Sequence, residues 1–160
     1  MPIKVGDKLP NATFRVMTAE GPKPKTTDDI FKGKKVALFA VPGAFTPTCN
    51  NLHMPSFVNN ADAFKAKGVS IAVTGVNDVF VMEAWKKSTG AAGKVEFLAD
   101  GNGDFAKAID MAFDGSGNGL GTRSKRYSML VEDGTVKKLN IEDAPGKCDI
   151  SGGQALLGQI

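Results

Sequence analysis

Cysteine and histidine are scarce in this chain, whose 160 residues hold two of the first and one of the second. Two cysteines do not make a disulfide framework. Two thiols and one imidazole also give a structural zinc site too few soft ligands, so no metal is expected. An excess of one charge is missing as well. Twenty Lys and Arg stand against 17 Asp and Glu, a net charge of +3, too small to mark a nucleic-acid or membrane-surface binder. No apolar run approaches membrane-spanning length. The start, Met1-Pro2-Ile3-Lys4-Val5-Gly6-Asp7, lacks the apolar stretch of a signal peptide. The expected setting is therefore cytoplasmic, or that of the mature form of an organelle-imported protein. Linkers, repeats and low-complexity tracts are missing too, so residues 1–160 read as a single domain of ordinary size. With 42% hydrophobic and 23% charged residues, that domain buries a core without help from disulfides or metals.

What is present is an alternation of strand and helix patterns. Short extended segments near Thr13 to Val16 lead to turn-formers in Gly21-Pro22-Lys23-Pro24-Lys25. Thr26 to Phe31 suits a turn or two of helix, stopped by Gly33. The continuous apolar run Val36-Ala37-Leu38-Phe39-Ala40-Val41 suits a central strand covered on both faces. Ser70 to Val76 and Val95 to Leu98 are further apolar strands. Between them Phe57, Ala61 and Phe64 share one helical face that ends at Gly68. Asp78 or Asn77 can cap a helix carrying Val81, Ala84 and Trp85, closed by Gly90. Asp104 begins another helix, with Ala108 and Ile109. Tyr127 to Glu132 and Thr135 to Asn140, joined by Asp133-Gly134, form a hairpin. A last helix, Gly153 to Gly158, follows Ser151. This order implies an α/β fold: a mixed sheet with helices on both faces. Thioredoxin-like folds are built in this order, and so are other doubly wound arrangements.

The stretch Pro42-Gly43-Ala44-Phe45-Thr46-Pro47-Thr48-Cys49 follows the most apolar strand, and open α/β sheets place their sites at such carboxyl ends. Thr46 is a good N-cap and Pro47 suits the first helical position. Cys49 then stands third in the first turn. Free N–H groups and the positive end of the helix dipole favour an anion there, so this thiol should ionise readily and act as a nucleophile. An inert buried cysteine is the plainer alternative, but the coincidence of proline, threonine and helix start weighs against it.

Pro42-x-x-x-Thr46-x-x-Cys49 resembles the active-site motif of the peroxiredoxins, and Val41 to Cys49 is similar to their type II (peroxiredoxin five) subfamily. The resemblance runs nearly end to end. It includes Val5-Gly6-Asp7-x-Leu9-Pro10, His53, Gly75-Val76-Asn77-Asp78, Leu98-Ala99-Asp100-Gly101, Gly119-Leu120-Gly121-x-Arg123, and Arg126-Tyr127-Ser128-Met129-Leu130-Val131-x-Asp133-Gly134. It implies a thioredoxin-like fold, a central mixed sheet flanked by helices with a short N-terminal extension. It also implies a thiol peroxidase that reduces hydrogen peroxide and organic hydroperoxides and needs no cofactor. Cys49 would attack the peroxide and become a sulfenic acid. Thr46 would orient sulfur and peroxide, Pro42 would shield the sulfur, and Arg126 would hold thiolate and peroxide oxygen. Arg123 would support the same region. His53, one helical turn beyond Cys49, fits a supporting role or a structural hydrogen bond equally, and it is not assigned as a general base. Pro55 should kink this helix. The subfamily usually has glycine where this chain has Ser56.

Cys148 keeps three readings. It resolves the sulfenic acid within the chain, it bridges to a partner subunit, or it stands outside catalysis. In the last case, which is the first expectation, glutathione or glutaredoxin reduces Cys49 directly; thioredoxin is the other candidate reductant. The resemblance further implies a homodimer. A thioredoxin-type disulfide oxidoreductase is the nearest rival, but Asn50-Asn51-Leu52 after Cys49 leaves no Cys-x-x-Cys. A redox sensor that changes partners on oxidation of Cys49 is another. Gly115 to Gly121 looks like a phosphate loop but lacks the following Lys-Ser or Lys-Thr, and reads as a mobile loop.

Overall fold

The structure, a computed structural model, describes residues 2–144 and 146–160. Its centre is the apolar run, which forms strand β3 (Lys35–Val41) with Val36 through Val41 all buried. Successive side chains of a strand point to opposite faces, and the two faces divide cleanly. Ala37, Phe39 and Val41 enter one core with Met54, Phe57, Phe64, Trp85 and Leu156. Val36, Leu38 and Ala40 enter a second core with Phe14, Phe31, Phe105 and Tyr127. A continuous apolar run is what a strand roofed on both sides requires.

Around β3 lie β1 (Thr13–Thr18), β2 (Gly21–Thr26), β4 (Ser70–Gly75), β5 (Glu96–Ala99), β8 (Tyr127–Glu132) and β9 (Thr135–Ile141). They form one seven-stranded sheet in the order β2-β1-β5-β4-β3-β8-β9. The β3–β4 and β4–β5 pairs are parallel, and the β1–β2, β1–β5, β3–β8 and β8–β9 pairs are antiparallel. This is the mixed sheet expected. Helices α2 (Met54–Val58), α3 (Ala61–Ala66), α4 (Val79–Thr89) and α6 (Gly153–Leu157) supply the first core. Helices α1 (Thr27–Phe31) and α5 (Asp104–Ala108) supply the second. The N-terminal extension runs along β9, where Gly6 N–H donates to Val136 O and Val136 N–H to Asp7 O.

Local signals set several boundaries. Thr26 and Asp29 form a capping box on α1. Asp78 accepts from Val81 N–H at 2.8 Å, and Gly90 closes α4 in the left-handed conformation at φ 67°. Asp133-Gly134 makes the β8–β9 turn, with φ 49° and 80°.

Other segments depart from the sequence reading. Gly21 to Lys25 is strand, not turn. The turn lies at Ala19-Glu20, and β2 is an edge strand whose Pro22 and Pro24 stand two apart. Both missing N–H groups therefore fall on the side with no neighbour, where proline is tolerated. The helix through Phe57, Ala61 and Phe64 is broken at Asn59-Asn60 into α2 and α3. Asn60 Nδ2 donates to Ser56 O at 2.7 Å, a local bond that competes with helix continuation. Phe57 and Phe64 still stack at 5.7 Å across the break. Gly115 to Gly121 is tied across its base, with Gly115 N–H donating to Gly121 O at 2.6 Å. It joins two short strands that the sequence reading lacks, β6 (Ala112–Asp114) and β7 (Thr122–Ser124).

Candidate active site

Strand β3 ends at Val41 and hands the chain to a tight loop. Pro42, Gly43 and Ala44 are buried. Ala44 N–H donates to Asn77 Oδ1 at 2.8 Å, and Arg123 Nη1 donates to the Pro42 carbonyl at 3.3 Å. A Cβ on Gly43 would lie 2.8 Å from Arg123 Nη1, so a larger residue there would displace the end of that side chain. Phe45 takes a left-handed φ of 67°, uncommon for a bulky side chain and a strained point of the loop. The Thr46 hydroxyl donates to Gly43 O at 2.6 Å, which leaves its lone pairs to accept another proton.

The helix starts where the sequence indicates. Asn50 N–H donates to Thr46 O at 2.8 Å, so Thr46 is the capping residue, Pro47 is first and Cys49 third. The turn Cys49–His53 is then a π-turn, with Met54 N–H reaching back to Cys49 O. Pro55 accounts for it. Proline offers no N–H to the Asn51 carbonyl and its ring crowds that group, and a widened turn relieves both. The expected kink takes this form. Ser56, in the place of the usual glycine, donates to His53 O at 2.6 Å and accepts from Gly153 N–H at 2.9 Å, fastening α6 to α2.

Cys49, His53 and Arg126 meet in the interior, 0%, 0% and 2% exposed. Arg126, at the foot of β8, directs Nη2 to Cys49 Sγ at 3.0 Å and Nη1 to His53 Nδ1 at 2.8 Å. His53 Nε2 lies 2.9 Å from the Ser151 carbonyl. A carbonyl only accepts, so Nε2 carries the proton and Nδ1 accepts from the guanidinium. Burial first, then the Arg126 charge, push His53 down to about 3, against a weaker contrary pull from Ser151. The imidazole is therefore neutral at ordinary pH and a poor proton acceptor. It serves instead to orient Arg126. Planar Arg fits this fork and Lys does not.

Both cysteines are free thiols. Cys148 is half-buried on the loop after β9. Burial pushes its thiol up, while the Arg126 charge and a hydrogen bond with Ser151 act the other way. It stands close enough to feel both Arg126 and Cys49. The structure thus gathers Cys49, Arg126 and His53, frames them with Pro42 and Thr46, and sets Cys148 beside them. Glu142 and Ser151 belong to the same neighbourhood. Sequence reasoning passed over Glu142, because one acidic residue after a polar strand carries no local signal. Among the described residues no group of three or more His, Cys, Asp or Glu side chains could hold a metal. No helix among them is long and apolar enough to cross a membrane.

A mixed sheet between two helical layers, with a buried cysteine in the first turn of the helix after the central strand, defines a thioredoxin-like thiol protein. The Redoxin family model matches residues 4–157. The chain is 47% identical over 146 residues to the chloroplastic peroxiredoxin-2E of Arabidopsis thaliana, covering 88% of this chain and 62% of that relative. It is 45% identical over 158 residues to peroxiredoxin-2C of rice (Oryza sativa subsp. japonica), covering 98% of this chain and 97% of the relative. Its fold is similar to that of reduced Prx3 from Vibrio vulnificus in complex with hydrogen peroxide. The TM-score is 0.93 at 44% identity, with 98% of each chain covered. The chain belongs to the Redoxin family and, within it, to the type II peroxiredoxins, which are thiol-dependent peroxidases.

Proposed function

We propose that this chain reduces hydrogen peroxide and organic hydroperoxides through the Cys49 thiolate. The observation that carries the reading is the 3.0 Å contact from Arg126 Nη2 to Cys49 Sγ in the first turn of a helix. The guanidinium and the free backbone N–H groups of that turn set positive charge against the sulfur, where a nucleophile and a departing oxygen are both served. The thiolate attacks one peroxide oxygen and the O–O bond breaks. Cys49 becomes a sulfenic acid, and the other oxygen leaves as alkoxide or hydroxide and takes a proton from solvent. Arg126 offsets the charge that moves from sulfur to the leaving oxygen. The Thr46 hydroxyl, already donating to Gly43 O, accepts from the peroxide O–H and orients it. Pro42 keeps water from the sulfur.

In the return cycle a thiol attacks the sulfenic acid and releases water, and a second thiol reduces the mixed disulfide. Glutathione with glutaredoxin, or thioredoxin, is the electron donor, and no cofactor takes part. The first reading is a one-cysteine cycle. The position of Cys148, within the electrostatic reach of Cys49 and Arg126, favours a second, in which Cys148 resolves the sulfenic acid within the chain. A homodimer through the face near the site, and a cytoplasmic or organelle-imported setting, complete the proposal.

The test is the intact mass of reduced protein after one equivalent of hydrogen peroxide, beside Cys49→Ser. Fast oxidation that needs Cys49 supports the peroxidase. Loss of two hydrogens within one chain assigns Cys148 as the resolving residue, and a glutathione adduct supports the one-cysteine cycle. A Cys49 that reacts no faster than a free thiol refutes the proposal.

A further inference from the structure

A closed circuit of hydrogen bonds begins and ends on Arg126. Its side chain donates to His53 Nδ1 at 2.8 Å, and His53 Nε2 donates to the Ser151 carbonyl at 2.9 Å. Ser151 N–H and Oγ each donate to Glu142 Oε2 at 2.7 Å. Glu142 N–H then donates back to the Arg126 carbonyl at 3.0 Å. Asp149 N–H makes a third bond to the same carboxylate oxygen at 2.7 Å. Glu142 is only 6% exposed and Ser151 is fully buried, a costly place for a carboxylate unless its bonds are worth keeping. The circuit touches the sulfur at one point, through Arg126 Nη2.

We propose that Glu142 is a positioning residue for the chemistry of Cys49. By anchoring Ser151 through its N–H and hydroxyl it fixes the proton of His53, and through His53 the angle at which Arg126 meets the sulfur. The proposal rests on the reading of Cys49 as the nucleophile. Its logic is donor against acceptor. With Glu142 in place, Ser151 is held by both its N–H and its hydroxyl, which anchors the residue whose carbonyl faces His53. Without that grip Ser151 shifts and its carbonyl with it, His53 Nε2–H loses its acceptor, and the Nδ1–H tautomer becomes competitive. That tautomer sets an N–H against the Arg126 Nη1 donor, and the guanidinium swings off the line that also satisfies the sulfur.

Among the described residues, the charged and titrating groups around this circuit are few. Cys148, Lys147 and the Asp149 backbone face Glu142 from its own loop. Arg126 and Cys148 face Cys49, and His53 is neutral. Burial works to raise the Glu142 carboxyl. The Ser151 hydroxyl and N–H, the Asp149 N–H and Lys147 outweigh it and hold the group below the usual carboxylate range. The anion therefore persists through neutral pH.

The experiment uses the full chain with Glu142→Gln and Glu142→Ala. Alkylation by iodoacetamide is followed at Cys49 by peptide mass across the pH range, beside peroxide consumption and thermal melting. Both variants are expected to slow alkylation of Cys49 at neutral pH roughly tenfold. Peroxide consumption at neutral pH should fall roughly tenfold. Nitrogen NMR of His53 should show loss of the single Nε2–H tautomer. A purely structural Glu142 would lower the melting temperature and leave the Cys49 alkylation rate and the His53 tautomer unchanged, and that result overturns the proposal. Should Glu142→Ala not fold, Glu142→Gln carries the same test with the side-chain size kept. Cys49→Ser separates the two levels. Peroxide consumption that survives it removes the underlying reading, whereas loss there with unaltered Glu142 variants removes the role of Glu142 alone.

Discussion

Lowering the pH from neutrality forces a proton onto a group the fold holds without one. His53 is fully buried, donates from Nε2 to Ser151 O and accepts at Nδ1 from Arg126. Protonation puts an N–H where Nδ1 receives one, beside a permanent cation. The folded state holds this imidazole at about 3, against 6.5 for the free group. Between those values the unfolded chain binds the extra proton, so the stability due to His53 is complete above about 6.5 and is lost as pH falls toward 3. The slope inside the window is about 1.4 kcal/mol per pH unit, and the full loss is on the order of 5 kcal/mol. A domain of this size has about 5–15 kcal/mol in all, so the effect is decisive.

The assay is urea unfolding at several pH values for the wild type and for His53→Gln, which keeps an amide donor and does not titrate. The variant should start less stable at neutral pH and lose less on acidification. Between about pH 6 and pH 4.5 the wild type should lose roughly 2 kcal/mol more than the variant. Asp100 contributes in the opposite sense to both proteins, because burial raises its carboxyl despite its bonds to Ala106 and Phe105 N–H. Glu142, held low, adds an acid loss common to both. The difference between the curves therefore isolates His53. Parallel curves would refute the buried, neutral imidazole.

Other perturbations address the site and its supports. Arg126→Lys cannot serve Cys49 and His53 together, and should lower kcat/KM for peroxide about ten- to a hundredfold, the worth of one charge-assisted hydrogen bond, with the melting temperature less affected. Steady-state peroxide consumption measures it, and an unchanged kcat/KM would count against the fork. Pro55→Ala restores the donor for the Asn51 carbonyl and should draw the π-turn back to α-helix. Peroxidase activity should then fall by up to ~100-fold while thermal stability holds or rises. Gly153→Ala would drive a Cβ into the Ser56 carbonyl and should push α6 off α2, at a cost of about 1–3 kcal/mol in chemical unfolding.

Elements written in short-range chemistry were legible from the sequence. The β3 run, the Asp133-Gly134 turn, the Asp78 and Gly90 caps and the Thr46-Pro47 helix start each depend on residues within a few positions of one another. The site was legible as far as its motif reached: Cys49, Thr46, Pro42 and Arg126 were named, and His53 was named as a supporting residue without the role of base. What escaped depends on partners distant in sequence. Pro22 and Pro24 look like turn residues until β2 is known to lie at the edge. The three-residue strands β6 and β7 hold too few apolar positions to show a period. Glu142 acquires its meaning only when the loop after β9 folds back over Arg126.

The two edges of the sheet bear on how copies of this chain meet. Pro22 and Pro24 leave β2 without donors at alternate positions on its open side. At the other edge, residues 6–9 already occupy the start of β9, and Lys137 and Lys138 stand exposed beyond them. Neither margin offers a clean row of hydrogen-bonding groups, and both carry the devices by which open sheets resist edge-to-edge growth. Self-association that adds strand to strand is therefore disfavoured, which protects the chain against aggregation when it is crowded. An assembly of this protein has to be built from its faces and loops, so its interfaces will be read in side chains rather than in backbone ladders.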